Sequence, residues 1–573
     1  MILRLNNFRT VILGTLLHIF SYPLLAQVSP ELFPATDFRL PLDIKPALAG
    51  SFGEIRSTHF HSGTDFRTNQ REGYPVYAVS DGYVSRLKVQ IGGFGNAVYL
   101  THPNGYTTVY AHLQRFNTAI TRVITARQYR TRSFAVDIPL LAIEIPVKKG
   151  DIIAWSGNTG GSAGPHLHFE VRDSRTEDIV NPALLGITLP DNIKPTISGF
   201  YMYRLNGLPF NESTVRQSFE LIGSNGNYKL NKSPIINFSG DIGFGISAYD
   251  LQPAGNKNGV YSIELQLDKA TIYESELNQF SFYTSGAVSS HMDYPYYKRS
   301  NRTVIKSFVE PGNPLKIYKN LVNRGVINIT DDKIHELRYI VKDVKGNTSI
   351  LDFRIRYNAK SVITSSYPEG LKKFSYNQAN EYATSDFIIK VPAGALYSDL
   401  NFRYSKGPKK GYSAIHRVHT SLIPIDGSYN LWIKADSSLP VQLQSKALIV
   451  NERGRSVGGT YENGYVKTSS GAFGEFNVSV DTTAPVIRSI NVKDGMSVSG
   501  IPVLRFRISD NLSGISSFSA TIDGQWVLTE YDPRNGSAWH TLDKSLASGK
   551  HHLQFSVTDV KGNSKTFNAI FYK

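Results

Sequence analysis

At 573 residues, with 41% hydrophobic and 19% charged content, the chain is too apolar for wholesale disorder and long enough for about three to five domains. It has no cysteine, which excludes disulfides and thiolate metal sites, so any metal must be held by His, Asp or Glu. Its net charge of +15 suits an anionic surface or an acidic polymer such as cell wall; the bases are scattered without a dense run, which argues against nucleic acid as a partner.

Residues 1–26 read as a secretory signal. Arg4 and Arg9 give a positive start, an apolar run covers residues 11–26, and Leu24-Leu25-Ala26 precedes Gln27 as a cleavage site. The run is short for a spanning helix and carries His18, Ser21 and Pro23. The mature chain is therefore expected to start near Gln27, to be exported to the periplasm, the envelope or the exterior, and to hold no transmembrane helix.

Plentiful Tyr and Phe with 47 Gly favour strands and turns. Residues 48–172 follow that pattern. Tyr74-Pro75-Val76-Tyr77-Ala78-Val79 reads as a strand, Asp81-Gly82 as a hairpin turn, and residues 83–89 as the return. Residues 96–101 and 106–110 flank a second turn at Asn104-Gly105. Residues 114–147 interrupt the sheet. Ala119 to Ile124 fit the start of a short helix, and Arg122, Arg127, Arg130 and Arg132 make the excursion basic. It reads as an ordinary solvated loop, or as a basic wall beside a cleft.

After residue 185 an internal repeat emerges. Lys194-Pro195-Thr196-Ile197 is echoed by Ala484-Pro485-Val486-Ile487, Ile246-Ser247 with Asp250 by Ile508-Ser509-Asp510, and Gly259-Val260-Tyr261-Ser262 by Gly514-Ile515-Ser516-Ser517. Asp343-Val344-Lys345-Gly346-Asn347 recurs identically at 559–563. Landmarks in one order imply two copies of a β-sandwich, the first with an insertion around 270–330. The expected domains are an antiparallel-sheet unit at 27–190, a sandwich at 191–358, a β-rich domain of unassigned type at 359–482 and a second sandwich at 483–573. The repeats resemble immunoglobulin-like modules and are expected to be accessory, so that a fragment ending near residue 190 would keep the chemistry. The Asp-Val-Lys-Gly-Asn strings are expected to be hairpin turns and not metal loops, since no cluster of acids accompanies them in sequence.

Two strings carry chemistry: His61-Ser62-Gly63-Thr64-Asp65 and His166-Leu167-His168-Phe169-Glu170. On a strand, His166, His168 and Glu170 share a face while Leu167, Phe169 and Val171 face a core. His61 and Asp65 can reach the same ion from a loop entering a strand. Two histidines and a carboxylate with a fourth position open suit a divalent metal held for hydrolysis, and the remaining histidine would stand beside it.

His61-x-x-x-Asp65, Tyr110-Ala111-His112-Leu113, Ser156-Gly157-Asn158-Thr159-Gly160 and Gly164-Pro165-His166-Leu167-His168-Phe169-Glu170 together resemble the motif set of the lysostaphin-type zinc peptidases. The resemblance spans residues 50–173. It implies an antiparallel-sheet fold with a groove, one Zn2+ on His61, Asp65 and His168, catalytic histidines His112 and His166, and cleavage of peptide bonds in peptidoglycan. Envelope proteins are further partners open to the β-domains. The insertion at 114–147 departs from the family, as does His59, which has no assigned role; His102 reads as a turn residue. The competing readings are an inactive wall-binding or regulatory module of the same fold, and a zinc peptidase acting on proteins.

Overall fold

The computed structural model describes Phe33 and residues 36–573 apart from 233–234, 253–254, 362 and 364. The expected signal sequence lies outside the described residues. The architecture is mainly β: an antiparallel-sheet unit followed by β-sandwich modules. Among the described residues no helix is long and apolar enough to cross a membrane.

The first unit is built on one antiparallel sheet whose strands lie in the order Leu48–Gly50, Thr64–Arg67, His166–Asp173, Tyr106–Ala111, Asn96–Thr101, Gly82–Val89 and Val136–Pro139. Leu167, Phe169 and Val171 enter a core with Val84, Leu87, Val98 and Leu100. Alternation leaves His166, His168 and Glu170 on the opposite face. The hairpin at Asn104-Gly105 forms as the sequence suggests, pairing Thr101 with Thr107. Asp81-Gly82 does not make a hairpin. Pro75–Tyr77 belongs to a separate three-stranded sheet with Ile152–Trp155 and Arg115–Phe116. The reason is local: the Asp81 carboxylate accepts from the Lys149 backbone N–H at 2.8 Å, which ties this corner to the 148–151 turn.

The 114–147 insertion is a structured element and not a solvated loop. It contains a helix, Thr118–Thr131, longer than the one expected from Ala119. The Asn117 side chain caps it by accepting from Ile120 N–H at 3.0 Å. Ile120 and Ile124 are buried in the main core, and the chain returns as the sheet-edge strand Val136–Pro139. Arg122, Arg130 and Arg132 are exposed. Tyr129 packs edge-on against Trp526, 5.2 Å between ring centroids, so the insertion also touches the C-terminal sandwich.

The two repeats share a topology. In each, the first strand pairs with the strand carrying the Ile-Ser landmark: Thr196–Arg204 with Ile242–Leu251, and Val486–Ser489 with Val503–Ser509. In each, the identical Asp-Val-Lys-Gly-Asn string turns one long strand into the next. Between them lies a separate core of two further five-stranded sheets.

The first unit does not end cleanly near residue 190. Ile179–Val180 pairs with Gln279–Phe280 from the insertion of the first sandwich. Phe52, Phe60 and Ile179 share a core with Phe280, Val288, Leu315 and Ile317. Burying three such side chains stabilises by roughly 5–9 kcal/mol, at about 1.5–3 kcal/mol each, comparable with the whole stability of a domain. This changes the expectation for truncation. A 27–190 fragment is expected to lose cooperative thermal unfolding, whereas a 27–358 fragment keeps it. A 27–190 fragment melting cooperatively in calorimetry would show that the shared core is dispensable.

Candidate metal centre

The sheet register assembles the site. His168 lies directly opposite Asp65 on one neighbouring strand and opposite Ala111 on the other, and His112 follows Ala111. His61 arrives from the preceding loop. Its Nε2 is 3.1 Å from Asp65 Oδ1 and 3.2 Å from His168 Nδ1, while His168 Nδ1 is 2.8 Å from Asp65 Oδ1. All three residues are buried. Gly63 is required between them: a Cβ there would sit 2.4 Å from the Phe169 carbonyl oxygen and 2.9 Å from His168 Cε1.

The tautomers are fixed by what the other ring nitrogens touch. His61 Nδ1 donates to the Ser51 carbonyl at 2.7 Å, which leaves a lone pair on Nε2. His168 Nε2 donates to Glu170 Oε1 at 3.0 Å, which leaves Nδ1 facing Asp65. Burial raises the Glu170 carboxyl, but Arg172 and His168 outweigh it and hold it at about 2, so Glu170 is a carboxylate. Arg172 donates to Glu170 Oε2 at 2.6 and 2.8 Å. Burial likewise raises Asp65, but its contacts with His61, His166 and His168 outweigh burial and keep it well below the usual range. Burial would lower His168, yet Asp65 and Glu170 lift it to about 9. The site thus favours positive charge at the point where the three ligand atoms meet. A divalent cation satisfies that demand, and carboxylate orienting of a ligating imidazole is a normal feature of such sites.

His166 and His112 stand beside these ligands. His166 Nδ1 donates to the Gly164 carbonyl at 2.8 Å and lies 3.1 Å from Ser162 Oγ. Its Nε2 is 3.5 Å from Asp65 Oδ1. His112 Nδ1 donates to the Thr159 carbonyl at 2.8 Å. Its φ of +58° is unusual for a residue other than glycine. Burial and the neighbouring His168 and His166 push it down to about 3, so it is a neutral base. The two rings are 4.8 Å apart between centroids.

All five sequence-predicted residues therefore meet at one place. His59 stays outside, its Nδ1 3.0 Å from the Thr58 hydroxyl. His102 sits in its turn but is buried, bound to the Asp81 carbonyl and Thr108 Oγ1. Sequence reasoning missed the partners of the ring nitrogens. Glu170 and Arg172 were reachable, since residues two apart share a face; Ser51 and Thr159 act through backbone carbonyls, which leave no trace in residue type. It also missed Arg534. This residue of the last sandwich, paired with Asp532, donates to Asn158 Oδ1 at 3.0 Å and the Ser162 carbonyl at 2.6 Å. It braces the loop that orients His166.

Residues 59–129 match the family model described as Peptidase family M23. The chain carries a peptidase family M23 domain. The resemblance to lysostaphin-type peptidases is borne out on that segment. Residues 371–481 match the Zu5-like domain, which gives a type to the β-domain left unassigned from sequence. The chain is 32% identical over 173 residues to the DD-carboxypeptidase/endopeptidase Mpg of Neisseria meningitidis serogroup B, covering 29% of this chain and 33% of that protein. It is 33% identical over 118 residues to the peptidoglycan DD-endopeptidase ShyC of Vibrio cholerae, covering 21% of each. The chain thus spans about a third or less of the length of these relatives. Among solved structures, the catalytic domain of lysostaphin from Staphylococcus simulans is 26% identical, covering 24% of this chain and 90% of that one, with a TM-score of 0.17. A zinc-containing peptidase from Vibrio cholerae is 28% identical, covering 27% and 41%, with a TM-score of 0.19.

Proposed function

We propose that the chain is an exported zinc metalloendopeptidase that hydrolyses peptide bonds in peptidoglycan. The observation that carries this reading is the convergence of two imidazole lone pairs and one carboxylate oxygen, flanked by two further histidines with free Nε2 atoms. His61, Asp65 and His168 would hold the ion. Bound there, zinc would supply Lewis-acid polarisation of the scissile carbonyl and acidify a water.

The chain's own residues do the rest. His166 Nε2, aimed at the site, accepts the proton as water adds to the carbonyl carbon. That one proton, held on His166 Nε2 or handed on to His112 Nε2, is donated as a hydrogen bond to the developing oxyanion and then passes to the leaving amine. The C–N bond then breaks, leaving a carboxylate and a free amine. The relative named as a peptidoglycan DD-endopeptidase and the cationic net charge support wall as substrate. The modules at 191–358, 359–482 and 483–573 would position the 27–190 unit on it, and an envelope location follows from the substrate.

The test is the purified chain on peptidoglycan sacculi, with and without chelator, with products read by mass. New amine and carboxylate termini lost with chelator are expected. Zinc binding with intact sacculi would instead favour a binding module, and cleavage confined to proteins a different substrate. A second prediction concerns the support of His168. Glu170→Gln removes the carboxylate behind the ring and leaves the buried Arg172 with Glu177 as its remaining carboxylate partner. Zinc affinity is expected to fall ~10–100-fold, measured by competition with a chromophoric chelator. Unchanged affinity would remove Glu170 from the site.

A further inference from the structure

The Asp-Val-Lys-Gly-Asn strings are hairpin turns, as expected, but the absence of accompanying acids holds only along the sequence. The Asp-Val-Lys-Gly-Asn strings do have acids beside them. Asp343 meets Asp191 and Asp250, and Asp559 meets Asp481 and Asp510; in each group one ligand atom per residue lies within 4.8 Å of the others. The extra acids come from remote parts of the chain, which is why the sequence showed none nearby.

The two clusters are the same site built twice. Asp191 and Asp481 each stand four residues before the proline that opens a sandwich, Pro195 and Pro485. Asp250 and Asp510 each follow the residue paired with the start of the first strand. Asp343 and Asp559 each accept from two backbone N–H groups of the turn and from the turn's asparagine side chain. That asparagine, Asn347 or Asn563, also donates to the backbone carbonyl of Asp191 or Asp481.

These carboxylates accept backbone and amide hydrogen bonds, but among the described residues none of the six is in an ion pair. Asp250 is 4% exposed, and its Oδ1 has no hydrogen-bond partner. Its other oxygen takes the Gln252 amide, which also binds Asp191. Burial, together with the charges of Asp191 and Asp343 and against the Gln252 hydrogen bond, raises Asp250 to about 7. In the second cluster Asp510 Oδ1 is likewise buried and unpartnered, and Asp481 and Asp559 are each 1% exposed. The nearby Lys561 ammonium is spent on the Gly459 carbonyl. Buried carboxylates are tolerated when paired or when they coordinate a metal. An all-oxygen donor set in turn-rich loops suits a hard cation of flexible coordination, with carbonyls and water completing the shell.

We propose that Asp191, Asp250 and Asp343 form a calcium site and that Asp481, Asp510 and Asp559 form its repeat-related counterpart. Each ion fastens a sandwich to the segment that enters it. The first stands where the chain leaves the M23 unit, and the second where it leaves the Zu5-like domain. The second clamp therefore holds the sandwich from which Arg534 reaches the loop of His166.

The experiment uses the full mature chain, stripped of metal and reloaded with one equivalent of zinc. Calcium chloride is titrated by calorimetry, and thermal unfolding is followed in parallel. Two equivalents of calcium are expected, with the melting point rising by ~5 °C or more at saturation. Asp250→Asn or Asp343→Asn should leave one equivalent, Asp510→Asn should leave one, and the Asp250→Asn/Asp510→Asn pair none. Asp65→Ala should leave both. No calcium uptake at 5 mM, taken as ~5-fold above the weakest extracellular sites, would overturn the proposal. So would two equivalents retained in the folded paired variant, or calcium uptake lost with Asp65→Ala. Two independent aspartates test the first site, so one misfolded variant does not decide the result.

Discussion

Asp65→Ala is expected to remove nearly all zinc and to lower hydrolysis to background. Asp65 Oδ1 is the hub of the centre, 2.8 Å from His168 Nδ1, 3.1 Å from His61 Nε2 and 3.5 Å from His166 Nε2. Removing it takes away the only negative ligand and leaves three imidazoles facing one another. Two neutral nitrogens hold a divalent ion far more weakly than two nitrogens and a carboxylate. Loss of Lewis-acid stabilisation worth several kcal/mol corresponds to at least ~10³-fold in rate. The readouts are metal content by mass spectrometry and release of peptide termini from sacculi. Asp65→Asn is the companion variant, since it keeps the shape and removes the charge. One full equivalent of zinc in either folded variant would show that Asp65 is not a ligand.

The centre was legible in the sequence because its ligands sit at strand and turn spacings that survive folding. His166 and His168 fall on one face through simple alternation, and His61-x-Gly-x-Asp65 marks a close approach that only glycine permits. What orients them was less legible. Ser51, Thr159 and Gly164 act through carbonyls, so no side chain announces them, and Arg534 arrives from the other end of the chain. The sandwich repeats were readable as text, since the shared landmarks are turn residues. Their acid clusters were not, because only the folded pairing of strands brings Asp191 beside Asp250 and Asp343. The insertion was misjudged for a different reason. Its helix buries only Ile120, Ile124 and Gln128, a stripe too sparse to stand out against four arginines. The Asp81-Gly82 corner has the residues of a hairpin, but tertiary bonds to Lys149 decide its path.

His166→Ala and His112→Asn are expected to keep one zinc and lose most hydrolysis. Neither side chain belongs to the three converging ligand atoms, so metal content should hold. Each instead presents an Nε2 whose lone pair is set by a carbonyl behind the ring. Proton transfer by a positioned side chain contributes about 10²–10⁴-fold, and a fall of that size in kcat is expected for each variant. Asparagine is the better replacement at His112, because φ is +58° there and asparagine tolerates that conformation where alanine does not. The double variant separates two mechanisms. If the histidines act in one coupled proton relay, the double loss should be close to either single loss. If His166 serves the attack and His112 the oxyanion or the leaving amine, the losses should approach their product until background hydrolysis intervenes. Wild-type rates in a zinc-loaded single variant would strike that histidine from the mechanism. A variant that loses zinc would instead make its histidine a ligand, and the three-ligand assignment would have to be redrawn.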